Sequence, residues 1–319
     1  MDIYTGTKHF HHSLPISTEN DKRISFPLKM LISNGIKIIY IEDTNKPTLD
    51  FVWKYKQKKD IRNCFKCTFT SSGSICDMCG NELKNYFNYV SKIDGDTTYL
   101  CKDSEISVVN TLNTIETAIK NIINHVSQNV FLLIRPPGHH NYDEYKDDDT
   151  TANGFCLVNN IIYGIDYLFT FKPESKVVII DWDAHRANGT QNMVAKRKNI
   201  YLFDMFQIGI FPFDENKSNK NTFQFPLTKE MNVNMYIEVF EQIIEHVIKI
   251  NPDYILISCG FDAHKLDTMS GLSFTNDTYK HFAKTLKNIN IPTIYFLEGG
   301  YLPDVIYENT KNIIDIYNK

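Results

Sequence analysis

The sequence predicts an α/β protein built on a central, mainly parallel sheet covered by helices on both faces. Three observations carry that expectation. Short β-branched runs, apolar throughout, recur along the chain; amphipathic helical patterns lie between them; and the residues just after the runs are repeatedly Gly, Asp and His. A strand that is apolar at every position is buried on both sides, as in a parallel sheet sandwiched between helices.

The runs are Ile36–Ile41, Val130–Ile134, Val177–Ile180, Tyr254–Ile257 and Thr293–Leu297, each of strand length and each closed by turn residues. Leu112, Ile115, Ile119, Ile122, Ile123 and Val126 recur at steps of three and four and predict a helix before the second run. A further helix is expected over Phe155–Phe169, with Phe155 opening its buried face. Tyr236, Phe240, Ile243, Ile244, Val247 and Ile248 predict another, stopped at Asn251-Pro252 because proline cannot continue a helix. No repeat at a fixed period is present, which argues against solenoids and propellers.

Composition narrows the function. The chain has 319 residues, 34 Lys+Arg against 38 Asp+Glu, a net charge of −4 and 42% hydrophobic residues. It is too apolar for intrinsic disorder and not basic enough to be held on nucleic acid by charge, so no direct nucleic-acid partner is expected. Apolar runs such as Val130–Ile134 fall far short of the ~20 residues of a membrane span. The start, MDIYTGTKHFHHSLPIS, lacks a basic segment followed by an apolar core. The expectation is a single domain over 1–319, intracellular, cytoplasmic or nuclear, with no membrane partner.

Reducing compartments keep thiols reduced, so the seven cysteines need a role other than disulfides. Cys64, Cys67, Cys76 and Cys79 form a CxxC…CxxC pattern that would place four thiolates around one structural zinc. The enclosed loop Thr68–Ile75 is rich in Thr, Ser and Gly, and metal binding would supply its folding energy. A small inserted zinc-knuckle subdomain is therefore expected over 60–82, a brace or partner-binding module. Redox chemistry would show one CxxC on a strand–helix turn. Cys101, Cys156 and Cys259 read as buried small residues.

In parallel α/β sheets the chemistry lies beyond the carboxyl ends of the strands. Here those ends carry Arg135-Pro136-Pro137-Gly138-His139-His140, Asp181-Trp182-Asp183-Ala184-His185, Gly260-Phe261-Asp262-Ala263-His264 and Glu298-Gly299-Gly300-Tyr301. Asp183 and His185, two apart on extended chain, can face one ion, and Asp262 would complete a three-ligand set with a position left for water or substrate. That is the pattern of a catalytic zinc, although Asp and His also suit Fe(II) or Mn(II). The paired imidazoles His139 and His140, after a rigid Pro-Pro-Gly turn, suit proton transfer near neutral pH. Tyr301 is placed to donate to a developing oxyanion.

The ordered segments RPPGHH, GFCLVNN, DWDAHRANGT, SCGFDAH and LEGGY resemble the metal-dependent histone deacetylase and acetylpolyamine amidohydrolase family, closest to its class II branch, over roughly residues 95–310. The resemblance implies the three-layer arginase–deacetylase fold, with about eight strands, and zinc-dependent hydrolysis of acetyl-lysine in histones or other proteins. It implies Asp183, His185 and Asp262 as zinc ligands, His140 as the proton-transferring base, His139 as its support on Asp181, Asn188 as the orienting partner of His140, and Tyr301 as oxyanion donor. Gly154 and Phe155 would line the acyl-lysine tunnel, with Gly299 and Gly300 beside the substrate. A potassium ion is implied at Asp181 and Asp204, the latter standing where the family usually has serine.

The chain departs from the family pattern in places. His185-Arg186-Ala187 replaces His-His-Gly, Asp267-Thr268 replaces Asp-Pro, and Phe206 stands in place of a histidine. The loop between His140 and Gly154 is long and contains Asp147-Asp148-Asp149, a solvated loop or an attractor for a basic histone tail or polyamine. The alternatives are an acetylpolyamine or small acetylamide hydrolase, and a weakly active deacetylase-like binding protein. An arginase-like two-metal site would need a further DxD, which the segment Gly260–His264 lacks.

Overall fold

The computed structural model describes residues 1–13, 17–45, 47–49, 90–92, 98–101, 104–142, 153–213 and 218–319. In chain order the elements are β1 (Asp2–Gly6), α1 (Lys22–Ser33), β2 (Ile38–Ile41), β3 (Val90–Lys92), β4 (Tyr99–Cys101), α2 (Ser104–Ile123), β5 (Asn129–Leu132), α3 (Asn160–Phe171), β6 (Val177–Asp181), α4 (Asn188–Val194), β7 (Ile200–Gln207), β8 (Thr222–Leu227), α5 (Val233–Ile250), β9 (Tyr254–Cys259), α6 (Asn276–Ile289), β10 (Thr293–Leu297) and α7 (Pro303–Asn318). Eight strands form one sheet in the order β2-β1-β5-β10-β9-β6-β7-β8, with every neighbouring pair parallel. β3 and β4 form a separate antiparallel pair.

The apolar runs are explained by the way each strand feeds two cores. Val178 and Ile180 of β6, Ile255 and Ile257 of β9 and Tyr295 and Leu297 of β10 point to one face. Val177, Ile179, Leu256, Ile294 and Phe296 point to the other. Side chains alternate with period two, so a strand covered on both faces must be apolar at both parities. Trp182, fully buried, anchors the first core against Phe240, Tyr279, Phe282 and Tyr295. The second core packs α2 and α3 on the opposite face through residues such as Ile115, Ile119, Ile161 and Ile165.

Several boundaries differ from expectation. The first run begins as a strand at Ile38, not Ile36, and β1, β7 and β8 are additional strands. β7 carries Asp204 in its interior, which breaks the apolar run, and β8 contains Gln224 and Pro226. Phe155 does not open a helix: its φ of 68° is left-handed, and α3 begins at Asn160, where the Asn159 side chain accepts the amide of Ile162. Val126 lies past the end of α2 and is exposed, as is Ile248 at the margin of the α5 stripe. α5 does end before Pro252, with Asn251 left-handed at φ 51°.

Because the strands run parallel, their carboxyl ends meet along one edge. Cys156 and Cys259 are buried. Cys64, Cys67, Cys76, Cys79 and Asp147-Asp148-Asp149 lie outside the described residues. No helix among the described residues is long and apolar enough to cross a membrane.

Candidate active site and metal centre

The edge collects residues from five strand ends. From the end of β6 come Asp183 and His185, and from the end of β9 comes Asp262. His185 Nδ1 lies 2.9 Å from Asp262 Oδ2 and 3.2 Å from Asp183 Oδ1. The donor atoms of the three residues lie within 4.8 Å of one another, and all three are buried. Backbone amides hold the carboxylates: Gly299 N–H donates to Asp183 Oδ2 (2.7 Å), His185 N–H to Asp183 Oδ1 (2.9 Å) and Ala184 N–H to Asp262 Oδ1 (2.9 Å). A Cβ on Gly299 would sit 2.3 Å from Asp262 Oδ2 and 2.4 Å from Asp183 Oδ2. Only glycine leaves that space between the oxygens. Two carboxylates and one imidazole around such a space fit a divalent ion with room for further ligands.

Each of the three groups is shifted by burial and by its neighbours. Burial opposes charge on His185, but Asp262 and Asp183 outweigh it and raise its pKa to about 10. Burial and the charge of Asp183 push Asp262 up to about 6. Burial also acts against Asp183, yet His139 and His185 hold it below the usual carboxylate range.

The two histidines after β5 differ sharply. His139 Nδ1 lies 3.1 Å from Asp181 Oδ2 and its Nε2 lies 3.7 Å from Asp183 Oδ1. Burial disfavours its cation, but Asp183 and Asp181 prevail and its pKa stands well above the ordinary value. His140 is pushed well below, by burial first and then by His139 and His185. Its Nδ1 pairs with Asn188 Oδ1 at 2.8 Å, while the Asn188 amide nitrogen donates to the Tyr142 hydroxyl. An amide oxygen only accepts, so this pairing puts the proton on Nδ1 and leaves Nε2 as the acceptor. Glu298 braces the turn carrying both histidines: its Oε2 accepts from the amides of Gly138 (2.7 Å) and His139 (3.2 Å).

Asn188 opens α4 directly after the Arg186-Ala187 departure. Ala187 has a negative φ, −76°, so no glycine is required there. Its amide donates to Asp204 Oδ2 at 3.1 Å. Asp204 faces Asp181 across β6 and β7, both fully buried, and Asp204 Oδ1 has no hydrogen-bond partner among the described residues. Burial and then Asp181 raise the Asp204 pKa well above normal, while His139 and Arg186 oppose that rise. Arg186 thus brings positive charge to the aspartate that stands at the serine position.

Tyr301 and Phe155 face one another with ring centroids 5.5 Å apart. Gly154 runs against the edge of His140 and the ring of Phe211. Phe211 was not singled out by sequence reasoning, because β7 itself was not recognised; its ring lies 4.8 Å from His140 and 6.4 Å from His185. Phe211 thus packs against both imidazoles, while Phe155 packs against Tyr301. The sequence also gave no role to Arg23 or Asp267, which hold the Tyr301 segment, or to Glu19, which pairs with Arg23 and Arg135.

Comparison with known proteins agrees with this arrangement. The family model described as the histone deacetylase domain matches residues 23–317. Histone deacetylase 14, chloroplastic, of Arabidopsis thaliana is 32% identical over 184 residues, covering 54% of this chain and 42% of that protein. The chain spans well under two thirds of the length of several curated relatives, from 56% down to 40%. Among solved structures, the HDA15 HD domain superposes with a TM-score of 0.80 at 20% identity, covering 100% of this chain and 91% of that one. The acetylpolyamine aminohydrolase from Burkholderia pseudomallei does so with a TM-score of 0.77 at 14% identity, covering 100% and 99%. At these identities the two structures show a shared fold.

Proposed function

The chain belongs to the histone deacetylase family, and from that premise we propose that it is a metal-dependent hydrolase that removes the acetyl group from acetyl-lysine in histones or other proteins. The observation that carries the reading is the buried Asp183, His185 and Asp262 cluster set beside His140, whose Nδ1 pairs with Asn188 Oδ1. Zinc held by those three residues would polarise the amide carbonyl and lower the pKa of a bound water.

The chain's own groups account for the remaining chemistry. His140 Nε2 takes a proton from the attacking water as the C–O bond forms, and returns a proton to the amine nitrogen as the C–N bond breaks, leaving acetate and free amine. His139, on Asp181, supports the adjacent ring. Tyr301 donates to the oxygen that gains negative charge, a contribution of a few kcal/mol in sites of this kind. Phe155 and Phe211 flank the acyl chain and keep water from the imidazoles, with Gly154, Gly299 and Gly300 beside it.

Two further ion sites belong to the same reading. Asp181 and Asp204 suit a monovalent cation such as potassium, since two buried carboxylates stand in register and one Asp204 oxygen lacks a partner. Cys64, Cys67, Cys76 and Cys79 suit a structural zinc by their spacing. A second substrate reading is an acetylpolyamine, favoured by the fold shared with the Burkholderia enzyme.

Purified, zinc-loaded protein is expected to release acetate from an acetyl-lysine peptide, to lose that activity with chelator and to lose it with His140→Ala. Side-by-side assays on acetylated peptide and acetylpolyamine assign the substrate class. No acetate from either substrate would refute the enzyme reading. Zinc near two per chain, falling to one in Cys64→Ser, supports both zinc sites; one per chain, unchanged by that substitution, removes the cysteine site.

A further inference from the structure

One peptide unit precedes Tyr301, and its two ends are held by opposite charges. The carbonyl oxygen of Gly300 accepts from Arg23 Nε at 2.6 Å, and the amide of Tyr301 donates to Asp267 Oδ2 at 2.7 Å. Both are buried, Arg23 at 1% and Asp267 at 5% exposure. The grip extends on each side. Arg23 also donates to the carbonyl of Glu298, and its Nη1 donates to Glu19 Oε1 at 3.1 Å, while its guanidinium carbon lies 4.8 Å from the centroid of the Tyr301 ring. The other Asp267 oxygen, Oδ1, accepts the amide of Met269 at 3.0 Å.

The arrangement matches the peptide dipole, with the cation on the carbonyl and the carboxylate on the N–H, in a buried place where such bonds are strong. A peptide is planar, so fixing its oxygen and its hydrogen fixes the whole plane. The next bond directs the Tyr301 side chain. The residues before it are Gly299 and Gly300, with Gly300 at φ 108°, a conformation that side chains rarely adopt. A glycine pair has no side chain to hold its own geometry, so the constraint must come from outside it.

We propose that Arg23 and Asp267 are positioning residues for Tyr301, clamping the Gly300–Tyr301 peptide so that the phenol is held at the reacting carbonyl. The inference deepens the reading of Tyr301 as the oxyanion donor and rests on it. Neither residue touches substrate; both act through the orientation of one ring.

The test is a set of double-mutant cycles on the zinc-loaded full chain with an acetyl-lysine peptide. Asp267→Ala and Arg23→Lys should each lower kcat about 10- to 100-fold, the scale of a misplaced catalytic group, with KM changed by less than about 2-fold. Asp267→Asn keeps an acceptor for the Tyr301 amide and should lose less. In a Tyr301→Phe background the same substitutions should change kcat by less than about 2-fold, since the group they position is gone. Losses that multiply in full with Tyr301→Phe would overturn the proposal and assign the two residues a general structural role.

A second readout needs no turnover. With 3-fluorotyrosine at position 301, the ¹⁹F spectrum should show one narrow line in the parent and a shifted, broadened or split line in Asp267→Ala and Asp267→Asn. An unchanged line in both refutes the clamp. A changed line in the variants, alongside a parent that hydrolyses neither acetylated substrate, supports the clamp while sinking the reaction reading.

Discussion

Replacing Glu19 by alanine should destabilise the protein far more than any surface charge change and should disturb the active site from a distance. Glu19 is fully buried and accepts from Arg135 Nε at 2.9 Å and Nη2 at 2.5 Å, and from Arg23 Nη1 at 3.1 Å. Its carboxylate is the counter-charge to two buried guanidinium groups. Burial alone would raise the Glu19 pKa; Arg135, His12 and Arg23 together bring it below the ordinary value. Removing one partner of a buried pair costs about 3–5 kcal/mol because the other charge is left uncompensated, and here two are left. With about 2 cal/mol/K of unfolding entropy per residue, a loss of about 4 kcal/mol in a chain of 319 residues lowers the thermal midpoint by about 6 °C. Calorimetry of parent, Glu19→Ala and Glu19→Gln measures it. The half-exposed pair Lys311–Asp315, 2.6 Å apart, is the control, and Asp315→Ala should cost under about 0.5 kcal/mol. Since Arg23 and Arg135 also hold the carbonyls of Gly300 and of the His9–His12 segment, kcat should fall with stability in Glu19→Ala. A midpoint shift below about 1 °C, or one equal to the control, would show that the arginines find other partners and would refute the argument.

Gly299→Ala should abolish metal binding at the Asp and His cluster without unfolding the chain, since its Cβ would approach Asp262 Oδ2 to 2.3 Å and Asp183 Oδ2 to 2.4 Å. Titration calorimetry with zinc checks this, and parent-like affinity would contradict it. His12 is fully buried, stacked 4.4 Å from Tyr99 and bonded to Ser104 at 2.7 Å, and burial followed by Arg135 lowers its pKa to about 3, Glu19 opposing them. The unfolded chain therefore binds the extra proton between about pH 6.5 and pH 3, so stability is full above 6.5 and falls as the pH drops through that window, by a few kcal/mol at most. Urea unfolding across that range should show a shallower decline in His12→Asn; equal slopes would dismiss His12 as the cause.

The legibility of the fold followed burial. β6, β9 and β10 lie in the middle of the sheet, where both faces must be apolar, and their runs stood out in the sequence. β8 at one edge is only partly buried, and β7 beside it holds an aspartate in its interior, so neither showed a continuous run. Phe155 does not start the helix expected there, because a left-handed residue is not announced by the residue type when that type is phenylalanine.

By itself the sequence determined which residue types stand at the strand ends, and hence that Asp183, His185, Asp262, His139, His140 and Tyr301 form one set. Parallel strands deliver their carboxyl ends to one edge, and motif order is local information. Tertiary structure alone decided the groups that hold them. Arg23 and Glu19 come from parts of the chain far from the strand-end motifs, Asp267 meets the Tyr301 amide across 34 residues, and Glu298 reaches across 160 residues to the amide of Gly138. Such pairings depend on distances set by packing after collapse, and no spacing along the chain encodes them.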